Sequence, residues 1–112
     1  MARRAQSRDD VLRILAIEAP YLRDRFGVVR LALYGSFARG QGGPRSDVDL
    51  LVELSRPLGL QFVALAVYLE GRLGRRVDLA TFGAMQRAKA KPDGERLVAS
   101  IEEDMTYVQP SA

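Results

Sequence analysis

The chain has 112 residues, 17 basic and 14 acidic for a formal charge of +3, and it contains neither cysteine nor histidine. Disulfides, thiolate catalysis and thiolate metal sites are therefore excluded, and acid–base work at neutral pH falls to carboxylates, Tyr, Lys or bound water. The length suits a single domain over residues 1–112. No apolar run approaches the roughly 20 residues that span a bilayer, and the first residues lack the apolar centre of a secretory signal, so a soluble, cytoplasmic protein with no membrane partner is expected.

Ser7, followed by Asp9 and Asp10, reads as a helix N-terminus. A serine hydroxyl accepts from an exposed amide of the first turn, and the aspartates favour the positive end of the helix dipole. A helix over about residues 9–25 follows, with Val11, Leu12, Leu15, Ala19 and Leu22 near the helical period. Pro20 lacks an amide hydrogen and crowds the preceding turn, so a kink or a break is expected there. Beyond Gly27, residues 28–34 are apolar and too short for a helix, which predicts a buried strand. The strand runs into Gly35-Ser36, where a short helix is expected to begin and to leave amides facing an anion.

Residues 40–46 hold three glycines and a proline and form a loop. Two phosphate-loop fingerprints fail here. Gln41-Gly42 stands where a Walker A motif needs Lys-Ser/Thr after Gly40, and a dinucleotide-binding pattern starting at Gly40 fails at Arg45. A second strand over 47–54 puts Asp47 and Asp49 on one face, roughly 6.5 to 7 Å apart, and Val48, Leu50, Val52 and Leu54 on the other. After a turn at 55–59, Phe62, Leu65, Ala66, Leu69 and Leu73 predict an amphipathic helix. A third strand is expected over 75–82, with Asp78 opposite in facing to Val77, Leu79 and Thr81. Strand, helix and strand in succession permit a parallel crossover. A further helix over 83–91 stops at Pro92-Asp93-Gly94, and Leu97, Val98, Ile101, Met105 and Val108 predict a last helix ahead of a frayed tail at 110–112.

Two same-face aspartates with a third on a later strand make an oxygen-only ligand set, which suits Mg²⁺ or Mn²⁺ rather than zinc. Two such ions about 3.5 to 4 Å apart stabilise the attacking and leaving oxygens of a displacement at phosphorus. The Gly35-Ser36 turn offers amides and a hydroxyl to a triphosphate, and the combination means phosphoryl or nucleotidyl transfer. The plainer alternatives are a capping role for Asp47, a solvated strand edge for Asp49, an ion pair of Asp78 with Arg75 or Arg76, and ordinary surface charge for Arg39 and Arg45. Tyr34 reads as packing.

Gly35-Ser36, ten intervening residues and Asp47-Val48-Asp49 resemble the signature of the DNA polymerase β-like nucleotidyltransferase superfamily. The form Gly-Ser-Phe-Ala-Arg-Gly, the small size and the position of Asp78 are similar to its minimal nucleotidyltransferases, the MNT or MntA-like proteins, over roughly residues 12–108. The resemblance implies an α+β nucleotidyltransferase fold, with a small mixed sheet of about three to four strands flanked by helices in the order αβαβαβα. It implies that Asp47 and Asp49 bind the metals, with Asp49 bridging toward the nucleophile. Asp78 would complete that site and help deprotonate the acceptor, while Gly35, Ser36 and Arg39 would hold the nucleotide phosphates. It further implies AMP transfer from ATP to a protein hydroxyl, with a HEPN-type toxin as partner and this chain as antitoxin. The alternative is a binding module that neutralises such a toxin by covering it. A nucleic-acid partner is not expected from so small a surface, whereas a homodimer or hetero-oligomer is compatible with it.

Overall fold

The computed structural model describes residues 4–109. The chain runs α1 (Arg8–Phe26), β1 (Val28–Tyr34), α2 (Gly35–Ala38), β2 (Val48–Leu54), α3 (Gln61–Leu73), β3 (Val77–Thr81), α4 (Phe82–Lys89), α5 (Gly94–Asp104) and β4 (Thr106–Tyr107). One mixed sheet has the strand order β3-β2-β1-β4. β2 pairs antiparallel with β1 and parallel with β3, so α3 is the crossover that the strand–helix–strand pattern permits. The α+β class and the expected alternation hold through α4, after which the chain adds α5 and β4.

Strand alternation divides the apolar residues between two layers. Leu31, Leu33, Val48, Leu50 and Val52 pack with Val11, Leu15 and Leu22 of α1 and with Leu65, Leu69 and Leu73 of α3. On the opposite face, Ala32 and Leu51 pack with Phe82 and Met85 of α4 and Val98 of α5. Asp49 and Asp78 alternate with the first set, so both carboxylates belong to the face that α4 and α5 cover.

α1 is capped as expected: Ser7 accepts from the Asp10 amide at 3.1 Å, and Gly27 closes the helix at φ 73°. Of the kink or break expected at Pro20, the break does not occur, and α1 is one continuous helix. Its buried residues Leu15, Leu22 and Phe26 bracket the exposed proline, and packing on both sides outweighs the missing hydrogen bond. The last helix also differs from expectation, ending at Asp104 rather than reaching Val108. Thr106 and Tyr107 pair with Leu33 and Ala32, and the Val108 amide donates to the Leu31 carbonyl at 2.8 Å. This short strand covers the β1 edge, a gain that helical periodicity does not reveal. β3 is shorter than expected, beginning at Val77 because Arg75 turns inward. The tail at 110–112 lies outside the described residues.

Candidate functional site

β2 begins one residue after Asp47, and its second residue is Asp49. The register sets Asp49 opposite Tyr34 on one side and Asp78 on the other. Cross-strand partners share a face and adjacent strands lie about 4.8 Å apart, so Asp49 is the centre of a row formed by Tyr34, Asp49 and Asp78. Asp47 stands at the entrance of the same strand. It is exposed, as is Asp78, while Asp49 is half-buried.

The electrostatics follow from that placement. Burial, then the charges of Asp78 and Asp47, hold the Asp49 carboxyl above the usual carboxylate range, with Arg39 opposing them. The Tyr34 hydroxyl is pushed up to about 12 by burial and then by Asp78 and Asp49. An oxygen-only set in which Asp78 and Asp47 each oppose the charge of Asp49 is of the chemical type that suits a hard divalent cation. Among the described residues no three acidic side chains converge into a finished cage.

The Gly-Ser turn adjoins this cluster. β1 hands the chain to Gly35 at φ 76°, and a β-carbon there would lie 2.1 Å from Asp49 Oδ2. Only glycine combines that backbone with that closeness. Ser36 follows in α2, one residue later than the start of the helix, and its carbonyl accepts from the Gln41 amide at 2.8 Å. Arg39, expected at the phosphates, is engaged elsewhere: its Nη1 lies 3.2 Å from Asp104 Oδ2 and its Nε donates to Gln41 Oε1 at 3.2 Å.

The alternative pairing of Asp78 with Arg75 is not adopted, because Arg75 donates to backbone carbonyls of Ala5, Gly43, Pro44 and Ser46. Glu53, also on the carboxylate face of β2, pairs with Arg30 at 3.1 Å at the far end of the strand. Two residues of this neighbourhood escaped the sequence reading. Tyr34 belongs to it only through the β1–β2 register, and Asp104 only through the packing of α5 near α2. A separate open cleft of about 560 Å³ lies between α1, β1 and β4, lined by Pro20, Arg23, Val29 and Tyr107 among others, and contains none of the expected site residues.

Residues 19–108 match the family model described as the nucleotidyltransferase domain. The chain belongs to this family. It is 39% identical over 84 residues to a protein adenylyltransferase MntA of Thermococcus cleftensis, covering 74% of this chain and 85% of that one. A Methanocaldococcus jannaschii protein, named as a candidate protein adenylyltransferase, is 35% identical over 102 residues, with 88% and 95% covered. A solved structure described as a candidate minimal nucleotidyltransferase superposes with a TM-score of 0.65 at 30% identity, over 90% of this chain and 95% of that one. The same fold recurs in an AMPylated Shewanella oneidensis HEPN toxin complex with its MNT antitoxin, at a TM-score of 0.57 and 17% identity over 93% and 73% of the chains. This nucleotidyltransferase thus shares the fold of a minimal nucleotidyltransferase over nine-tenths of its length.

Proposed function

We propose that this nucleotidyltransferase moves AMP from ATP to a hydroxyl of a protein partner of the HEPN toxin class, and acts in that way as its antitoxin. The observation that carries the reading is the row of Asp78, Asp49 and Tyr34, with Gly35 packed against the Asp49 carboxylate and Asp47 at the strand entrance. It is supported by the protein adenylyltransferase name of a relative 39% identical to the chain. It is also supported by the occurrence of the same fold in complexes whose descriptions name AMP-PNP and a HEPN toxin.

In this reading Asp47, Asp49 and Asp78 would hold Mg²⁺ or Mn²⁺, which would supply charge neutralisation for the transfer. Gly35 and Ser36 orient the triphosphate, with the close glycine letting phosphate oxygens approach the carboxylate face. The acceptor oxygen bonds to the α-phosphorus, the bond from that phosphorus to the pyrophosphate oxygen breaks, and pyrophosphate leaves. Asp78, exposed at the rim, takes the hydroxyl proton toward solvent.

Incubation with α-labelled ATP, Mg²⁺ and the protein encoded beside this one tests the reading. Label on a hydroxyl of that neighbour, lost with Asp47→Ala or Asp49→Ala, is the expected result. Tight binding of the neighbour with no label, unchanged in both variants, would leave only a covering role.

A further inference from the structure

Arg75 lies in the connection between α3 and β3, three residues before Asp78, and is only 8% exposed. A guanidinium is retained in such a place only where its donors are satisfied. Its Nε donates to the Ala5 carbonyl. Its Nη1 faces three carbonyls of the loop that leads into Asp47: Gly43 at 2.9 Å, Pro44 at 3.4 Å and Ser46 at 3.3 Å. The guanidinium also lies over the ring of Phe37, with 4.7 Å from its central carbon to the ring centroid.

Phe37 follows Ser36 directly and is fully buried. Gly42 belongs to the same joint, since a β-carbon there would fall 2.6 Å from the Phe37 ring. A single side chain, itself at the root of the strand that carries Asp78, thus touches the short helix α2 that contains Gly35-Ser36 and the loop before Asp47. These are the three separate segments whose relative placement makes the site.

We propose that Arg75 is a positioning residue for nucleotide binding, clamping residues 43–46 between Phe37 and the start of β3 so that the Gly-Ser turn meets the carboxylate cluster. The proposal rests on the site reading given above. Lysine is no equivalent, because a point charge on a flexible stem neither forks to several carbonyls nor stacks on a ring.

The test is the dissociation constant of Mg²⁺ and N-methylanthraniloyl-ATP, measured by fluorescence, for the wild type, Asp47→Ala, Arg75→Lys and Arg75→Met, with melting curves for each. A merely structural role lowers the amount of binding-competent protein and leaves that constant in place. Positioning raises it by about tenfold in Arg75→Met, the equivalent of one charged hydrogen bond, with Lys recovering part. A cooperatively melting Arg75 variant with the wild-type constant overturns the proposal, provided Asp47→Ala has lost metal-dependent binding. Asp47→Ala binding as tightly as the wild type overturns the site reading instead, and the clamp's function with it. If neither Arg75 variant melts cooperatively, exchange of the guanidinium hydrogens of Arg75 in the wild type decides. Protected Arg75 Nε and Nη1 hydrogens are expected, and exchange at the rate of free arginine overturns the clamp.

Discussion

A β-carbon at position 35 would stand 2.1 Å from the Oδ2 of Asp49, 3.0 Å from its Cγ and 3.3 Å from its own β-carbon. The turn that opens the expected phosphate site and the central carboxylate therefore share one volume. Gly35→Ala must either push the Asp49 side chain from its place or leave φ 76°, which costs roughly 1 to 2 kcal/mol for an L-residue. Displacement of the central carboxylate by even an ångström is worth about 100-fold in rate. Nucleotidyl transfer by Gly35→Ala is expected to fall by about that factor, with a melting temperature ~4–16 °C lower. Unchanged turnover in a folded variant would remove the turn from the site.

Asp49 is strained by its company, and that strain has a sign. Its carboxyl holds a proton more tightly in the folded chain than at the ordinary value of 3.8, because burial, Asp78 and Asp47 all oppose the charge. The folded state binds the extra proton, so stability falls as pH rises from 3.8 through the raised native value, and the penalty is complete above it. Asp49→Asn removes the penalty. A higher melting temperature than the wild type is expected at pH 7, together with loss of transfer activity. The Tyr34 phenol, about 12 in the wild type, should titrate lower in the same variant by ultraviolet absorbance. A melting temperature that falls at pH 7 would contradict the like-charge account.

The parts of the structure legible in the sequence are those fixed by local chemistry. Ser7, Gly27 and the period of α1 define a helix, and the alternation of Val48, Asp49, Leu50 and Leu51 defines a strand with a carboxylate face. The spacing of Gly35-Ser36 and Asp47-Val48-Asp49 located the candidate site because turn and strand are joined by one short loop. What the sequence left out depends on long-range placement. The Tyr34–Asp49–Asp78 row is a register, the Arg39–Asp104 pair joins segments 65 residues apart, and β4 exists because an edge of β1 accepts it. Arg75 reads only as a candidate ion-pair partner of Asp78 until the carbonyls of a distant loop surround it.

Pro20 offers a test of the uninterrupted α1. It sits exposed inside the helix, so the hydrogen bond its nitrogen would donate one turn back is missing while the buried stripe continues past it. Interior proline costs about 3 kcal/mol relative to alanine, part of which the packing has already absorbed as a relaxed local geometry. Pro20→Ala is expected to stabilise the protein by about 1 to 3 kcal/mol in denaturant titration, without changing nucleotide binding. A loss of stability would mean that the proline ring itself packs against the cleft formed by α1, β1 and β4.

Arg39 is the expected phosphate contact whose present partner is an acid. Its guanidinium lies 3.2 Å from Asp104, with the two side chains 42% and 26% exposed, so the pair contributes only about 0.2 to 1 kcal/mol. That is weak enough for a triphosphate to draw Arg39 away, since a charged hydrogen bond to phosphate is worth more than a solvated ion pair. Removing the competitor and removing the cation should then have opposite effects. Asp104→Ala is expected to cost under about 1 kcal/mol of stability and to tighten nucleotide binding, whereas Arg39→Gln weakens binding about threefold to tenfold, one lost charged contact. If both variants weaken binding equally, Arg39 acts by tethering α2 to α5 through Asp104, and its contact with the nucleotide is excluded.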